Sequence, residues 1–367
     1  MANACILLKK AVNADVGAAS AVINAFVVGG YSFDEIHILA QSDEVNIREV
    51  LKHQKTQGGV TVCIAEKAAL ASVKPLIAGS FATNSVKHEF TSACVFHEGQ
   101  SIACLLSSDK TETGEEYVKQ ICLPYLKQAS GVSFDRLFIR TIGANAQRVD
   151  ALLAEVRAYV GDKMYCSHTC AYGEDVITIT YDSNSPKMLV DEVLRKLVDA
   201  LGDTVYALNE NSIEEQLVEL LRLRRRKISV AESFTGGGLA KRITSVSGAS
   251  EVYFEGINAY NEGAKIKRLG VSDYTLNTAG AVSDKTAYEM ACGLLATGDC
   301  DVAVATTGLA GPKSDRSGLP VGLCYISVGT KERVRVYRYV FDGTRQDITE
   351  KAIHYALYHA YKEVKDL

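Results

Sequence analysis

The sequence predicts a multidomain chain of mixed class, α/β and α+β, with α/β units at its two ends and a small α+β unit between them. Three observations carry this. The chain has 367 residues, which at roughly 150 residues per domain gives two or three domains. Strands and amphipathic helices alternate over the first 65 residues, the pattern of a parallel sheet covered by helices. A second run of this kind opens with the apolar strand ISVA at residues 228–231. Hydrophobic residues make up 47% of the chain and charged residues 23%, too much apolar surface for disorder to be a main theme.

In the first part, residues 4–8 read as a strand and 15–28 as a helix ending at Gly29 and Gly30. Residues 35–40 form a second strand, 44–55 a helix stopped by Gly58 and Gly59, and 60–65 a third strand. From 90 to 106 the pattern is strand-like, with a hairpin turn at 97–100, and 115–128 is helical. The middle part holds a strand at 136–141, a helix at 145–159, an alternating strand at 175–181 and an amphipathic helix at 187–201. Residues 209–212 read as a linker and N-cap for a helix at 213–223. The last part continues with helices at 236–245, 286–296 and 345–362, and strands at 302–306, 322–329 and 334–341. The expected domains are 1–129, 130–208 and 209–367.

The net charge of −4 argues against a dedicated nucleic-acid binder. No apolar run approaches the roughly 20 residues of a membrane span. The first apolar stretch precedes its lysines, the wrong order for a secretory signal. The ten cysteines are dispersed, several within apolar strands, as expected of reduced buried thiols in a cytoplasmic protein.

Three words after residue 228 carry chemistry. The first strand runs into Glu232-Ser233-Phe234-Thr235-Gly236-Gly237-Gly238 and then a helix. A Gly-rich turn at a helix N-terminus is an anion site, and a serine there can be a nucleophile whose oxyanion meets the free amides. The second word, Tyr260-Asn261-Glu262-Gly263-Ala264-Lys265, offers a lysine that burial could turn into a general base. The third, Thr306-Thr307-Gly308-Leu309-Ala310-Gly311-Pro312, follows an apolar strand, where α/β sheets bind ligands. Each word alone also fits a plain structural role: capping by Ser233 and Thr235, a solvated helical lysine, an ordinary strand-end turn.

Together the three words resemble the C-terminal domain of the CinA family, the nicotinamide mononucleotide (NMN) deamidases. The family's AES-x-TGG appears as Ala231-Glu232-Ser233-Phe234-Thr235-Gly236-Gly237. Its Gly-x-x-x-Tyr-x-x-x-x-Lys block matches Gly256, Tyr260 and Lys265, and Gly-Ala-Val-Ser matches Gly280 to Ser283. Its Thr-Gly-x-Ala-Gly-Pro loop matches Thr307, Gly308, Ala310, Gly311 and Pro312. Pro320-Val321-Gly322 and the spacing of Phe341, Gly343 and Arg345 complete the match, from about residue 212 onward.

The resemblance implies hydrolysis of the NMN carboxamide to nicotinic acid mononucleotide and ammonia, without cofactor or metal. Ser233 is then the nucleophile, Lys265 the base, and Tyr260 orients the pair or relays a proton. Glu232, Thr235, Gly236, Gly237, Thr307, Gly308, Ala310 and Gly311 shape the substrate site. Arg345 grips the phosphate, with a salt bridge to a helix end as its other reading; Ser283 caps the helix that follows it. A homodimer or higher homo-oligomer is expected, with no membrane or nucleic-acid partner.

Two departures lie near this site. Phe234 stands where the family usually has cysteine, and residues 313–319 (KSDRSGL) replace a Gly-rich stretch with Pro-Glu-Lys. The first domain resembles a degenerate form of the family's molybdopterin-binding-like domain. Its Thr-Gly-Gly-Leu-Gly-Pro-Thr-x-Asp-Asp motif is replaced by Glu66-Lys67-Ala68-Ala69-Leu70, so ADP-ribose pyrophosphatase activity is not expected. The middle unit resembles the family's KH-like linker through Arg140-Thr141-Ile142-Gly143 and Tyr172-Gly173-Glu174-Asp175, without a Gly-x-x-Gly loop for RNA. Cys166, His168 and Cys170 share one strand face but lack a second ligand cluster, and the basic run at 222–227 reads as a solvated helix end.

Overall fold

The computed structural model describes residues 1–10, 17–81, 86–87, 94–108, 111–314 and 318–367. The start of the expected first helix, the stretch 90–93 of the expected strand region, and residues 315–317 lie outside these. Three sheets organise the chain, and it divides into two compact units. One unit comprises Met1–Arg136 with Thr180–Lys187; the other comprises Leu137–Ile179 with Met188–Leu367. The mixed α/β, multidomain class is as the sequence predicts.

The first sheet holds β1 (Ala4–Lys9), β2 (Glu35–Ala40), β3 (Gly59–Ala65), β4 (Val86–Lys87), β5 (Cys94–Glu98) and β6 (Ser101–Ser107) in the order β2-β1-β3-β6-β5-β4. The first four in that order run parallel, and the β6-β5-β4 edge is antiparallel. Helix α1 (Gly17–Val28) packs Val22 and Phe26 against Cys5 and Val62 on one face. Helices α2 (Glu44–Gln57) and α3 (Leu70–Ser80) cover Ile6, Leu8 and Cys63 on the other. Residues 66–70 enter α3 through a short 3-10 turn. Helix α3 itself carries Pro75, a residue that reads as a helix breaker, and the sequence reading missed it. Helices α4 (Thr111–Tyr117) and α5 (Leu123–Ser130) are joined by a π-helical turn.

The second sheet has the order β10-β7-β9-β8, from β7 (Phe134–Ile142), β8 (Met164–Ala171), β9 (Glu174–Asp182) and β10 (Val205–Ala207). Its helices are α6 (Ala146–Val160) and α7 (Lys187–Leu201).

The third sheet positions the site. Its strands are β11 (Ile228–Glu232), β12 (Tyr253–Asn258), β13 (Val302–Gly308), β14 (Leu323–Gly329) and β15 (Val334–Val340), in the order β12-β11-β13-β14-β15. Strand β11 is parallel to both neighbours, and β13, β14 and β15 are antiparallel in turn. Helices α8 (Ile213–Arg224), α9 (Gly238–Ser245) and α13 (Arg345–Asp366) pack on Val230, Val304 and Val328. The other face, with Ala231, Ala303 and Ala305, receives α12 (Asp284–Ala296), with α10 (Glu262–Leu269) and α11 (Asp273–Thr278) beside it. Ser212 and Glu215 form a capping box at α8, and Ser283 caps α12, as the sequence suggests. Helix α9 starts at Gly238, two residues later than expected, because Gly236 (φ 63°) and Gly237 (φ 99°) are left-handed. Strand β12 and helix α11 were not legible in the periodicity.

Helix α12 passes close to the end of α10. A Cβ on Gly293 would lie 2.0 Å from the Leu269 carbonyl oxygen. Helix propensity alone favours Gly293→Ala by about 1 kcal/mol. The contact reverses the sign, and the variant should lose about 1–3 kcal/mol of stability. Urea unfolding of wild type and variant measures this; a rise in midpoint would refute so close a packing.

Candidate active site

Parallel strands β12, β11 and β13 end together. Glu232 stands in register with Asn258 on one side and Thr306 on the other. The residues that follow are laced across this edge. The Ser233 amide donates to the Thr306 carbonyl (3.0 Å), and the Ala259 amide donates to the Glu232 carbonyl (2.7 Å). The carboxyl edge of a parallel sheet is where α/β folds place their ligands.

Here Lys265 meets Ser233. Lys265 lies in the first turns of α10, whose N-cap Asn261 accepts from the Gly263 amide. Its side chain is 1% exposed. Nζ lies 2.8 Å from Ser233 Oγ and donates to the Ala259 carbonyl (2.7 Å) and, at 3.5 Å, the Tyr260 carbonyl. Among the described residues no carboxylate pairs with it in a salt bridge. Burial lowers its pKa to about 8, with Glu262 pulling weakly the other way. A lysine so placed can accept the serine proton near neutral pH.

Glu232, expected among the substrate contacts, has a different role. It is 1% exposed, and its carboxylate accepts the amides of Gly237 (3.0 Å), Leu239 (3.0 Å) and Ala240 (2.8 Å). The anion at the N-terminus of α9 is therefore the protein's own side chain, which corrects the expectation of a ligand there. A carboxylate reaching five to eight residues ahead lies outside ordinary N-cap spacing, so no local pattern of residues signals it. The amides of Phe234 and Thr235 donate to no acceptor among the described residues.

The other expected residues sort by geometry. Thr235 Oγ1 is hydrogen-bonded to Thr306 Oγ1 (2.7 Å), both buried, so it fixes the turn to β13. Thr307 Oγ1 donates to the Ala281 carbonyl (2.6 Å), tying the loop before α12 to the same edge. Gly308 closes β13 against Cys324, and Ala310 is buried beside Phe234. Tyr260 touches Lys265 through its carbonyl; its side chain is 62% exposed, and its hydroxyl accepts from Arg345 (3.2 Å). The phenol is thus directed to Arg345 rather than to the Ser233–Lys265 pair. Arg345 also donates to the Gly311 carbonyl (2.9 Å). It sits in the first turn of α13 and has no carboxylate partner among the described residues, against its salt-bridge reading.

Away from this edge, His168 lies between Asp150 (3.0 Å) and Asp175 (2.8 Å), an ion cluster the sequence did not reveal. Among the described residues no group of three or more His, Cys, Asp or Glu is arranged to hold a metal. Arg222 and Arg226 of the basic run pair with Glu251 and Asp301. No described helix is long and apolar enough to cross a membrane.

Residues 210–364 match the family model described as CinA C-terminal domain. A "Putative competence-damage inducible protein" of Caldicellulosiruptor saccharolyticus is 36% identical over 66% of this chain and 59% of its own length. A "CinA-like protein" of Kosmotoga olearia is 31% identical over 72% of this chain and 64% of its own. The chain thus spans less than two thirds of these curated relatives. The crystal structure of "competence/damage inducible protein CihA" from Agrobacterium tumefaciens is 33% identical over 44% of this chain and 99% of its own, with a TM-score of 0.40. The segment carrying Ser233, Lys265 and Arg345 lies within the matched residues, and through this C-terminal domain the chain belongs to the CinA family.

Proposed function

We propose that the C-terminal domain is a serine amidohydrolase acting on the carboxamide of NMN or a closely related nucleotide. The observation that carries this reading is the buried contact of 2.8 Å between Lys265 Nζ and Ser233 Oγ. In the neutral amine, two N–H groups go to the Ala259 and Tyr260 carbonyls and the lone pair faces Ser233. Lys265 takes the Oγ proton as Ser233 attacks the carboxamide carbon. The amides of Phe234 and Thr235 receive the charge on the carbonyl oxygen. The lysine then protonates the departing nitrogen, ammonia leaves, and an ester on Ser233 remains. Water, deprotonated by the same lysine, cleaves the ester to the free acid and restores Ser233. Arg345, with no carboxylate partner, offers two N–H donors to a phosphate beside the Gly311 loop.

Ammonia release from NMN, with EDTA present, tests the reading directly. Wild type should turn over, and Ser233→Ala should lose about a thousandfold or more of kcat. Nucleotide binding with no turnover by either protein would replace the enzyme reading by that of a binding protein.

The state of Lys265 sets the pH profile. With its pKa near 8, kcat/KM should rise about tenfold per pH unit below that value and level off above it. A flat profile between pH 6 and 9 would exclude lysine as the base.

The same burial should appear in stability. Unfolding returns Lys265 from about 8 to 10.5, so the unfolded chain binds the extra proton between these values. The penalty is complete below pH 8 and fades as pH rises towards 10.5, reaching about 3 kcal/mol at most. Lys265→Met should therefore be inactive yet more stable than wild type at pH 7 by about 1–3 kcal/mol. Equal or lower stability in urea would show that the ammonium is well solvated in the fold.

A further inference from the structure

The nucleophile turn carries one bulky apolar side chain. Phe234 is buried in a cluster with Ala310, Cys324, Ile348 and Ala352, bordered by Val321 and Phe341. These partners come from separate segments: the loop after β13, the start of β14 and the first turns of α13. Two of them adjoin other parts of the site. Ala310 precedes Gly311, whose carbonyl holds Arg345, and Ile348 lies one turn after Arg345.

The turn is tied on both sides of the Phe234 and Thr235 amides, with the Gly237 amide on the Glu232 carboxylate and the Gly238 amide donating to the Thr235 carbonyl (3.0 Å). The Ser233 amide is fixed by the Thr306 carbonyl, and the Gly236 amide donates back to the Ser233 carbonyl. Between them the Phe234 and Thr235 amides have no acceptor among the described residues, and two left-handed glycines follow. An amide that waits for a developing charge must be aimed by something other than its own hydrogen bond. The side chains on either side do this. The Thr235 hydroxyl pins one to Thr306, and the Phe234 ring pins the other to the apolar cluster.

We infer that Phe234 is a positioning residue, its ring wedged behind the turn so that its own N–H is held towards the carbonyl oxygen of the group attacked by Ser233. This rests on the amidohydrolase reading for its chemistry and goes beyond it in assigning the aim of the oxyanion donor to an apolar side chain. Loss of a whole oxyanion donor removes about 10²–10³ in kcat. Loosening one by removing the ring should remove about 10- to 100-fold, a smaller share of the same effect.

The test compares wild type, Ser233→Ala, Phe234→Leu and Phe234→Ala. One assay follows acylation of Ser233 by p-nitrophenyl acetate, as the burst and as the mass added at that residue. The other follows ammonia release from NMN, and thermal unfolding controls for folding. The expected result is acylation about 10- to 100-fold slower in Phe234→Ala, with most of the rate kept by Phe234→Leu. Where NMN is turned over, kcat should fall with KM within about threefold, and the pH midpoint set by Lys265 should stay in place. A purely structural ring would not divide kcat from KM in this way. Acylation at the wild-type rate in Phe234→Ala, or a raised KM at constant kcat, overturns the assignment. If Phe234→Ala does not fold, a Leu variant slowed severalfold at unchanged pH midpoint supports it, and one at wild-type rate overturns it. Wild type that acylates but leaves NMN intact removes the substrate reading and keeps this one open to the same comparison of rates. Wild type that does not acylate removes both.

Discussion

An amine taken out of water is the constraint on which the catalytic edge depends. Lys265 is nearly inaccessible, and without a counter-ion its charge is held at a cost to the fold. The structure meets its N–H groups with the carbonyls of Ala259 and Tyr260, which belong to the turn between β12 and α10. That turn is fixed in two ways. The Ala259 amide is bonded to the Glu232 carbonyl, and Asn261 caps the helix that brings the lysine back. Left-handed Gly270 then ends α10, beside the close approach of α12 at Gly293. The position of one nitrogen thus follows from sheet pairing, a cap and a helix contact, and removing any of them moves the base relative to Ser233.

The second constraint is electrostatic and sits on the opposite side of the nucleophile. The N-terminus of α9 would attract any anion, including a substrate phosphate in the wrong place. Glu232 occupies it, with three amides on one buried carboxylate. In the proposed reading this leaves the amides of Phe234 and Thr235 to the reaction, and phosphate recognition to Arg345, at another helix start. The side chain that resembles a ligand contact in the motif satisfies the first amides of its own helix.

How much of this could be read from residues depends on range. The strand–turn–helix after residue 228, the serine and the lysine are local words, and the parallel pairing of β11 with β13 follows from alternating strands and helices, whereas β12 does not show in the pattern. The caps by Ser212 and Ser283 are equally local. The role of Glu232 was hidden because its acceptor geometry spans a turn of two left-handed glycines. The direction of the Tyr260 phenol was hidden because its partner, Arg345, is 85 residues away. Helix α3 was missed for a different reason: Pro75 contradicts the helix locally, while Val73, Leu76 and Ile77 are buried against the sheet and override it. Likewise His168 shows its two carboxylates only when strand and helix are brought together.

A rule for separating structure from function at this edge emerges from its polar groups. Glu232, Thr235, Thr307, Asn261 and the backbone of Ser233 all have protein partners: Glu232 and Asn261 close the starts of α9 and α10, and the others fasten one segment of the edge to another. What the fold leaves over is small: the amides of Phe234 and Thr235, and the remaining N–H groups of Arg345, which meets the Gly311 carbonyl and the Tyr260 hydroxyl but no carboxylate among the described residues. These are donors, which suit the developing oxyanion and the phosphate of the proposed substrate. In the proposed reading the acceptor that matters for the chemistry is the lone pair of neutral Lys265, whose nitrogen lies 2.8 Å from the Ser233 hydroxyl. The family motif thus mixes residues that build the edge with residues that use it, and hydrogen-bond accounting tells them apart where the motif alone does not.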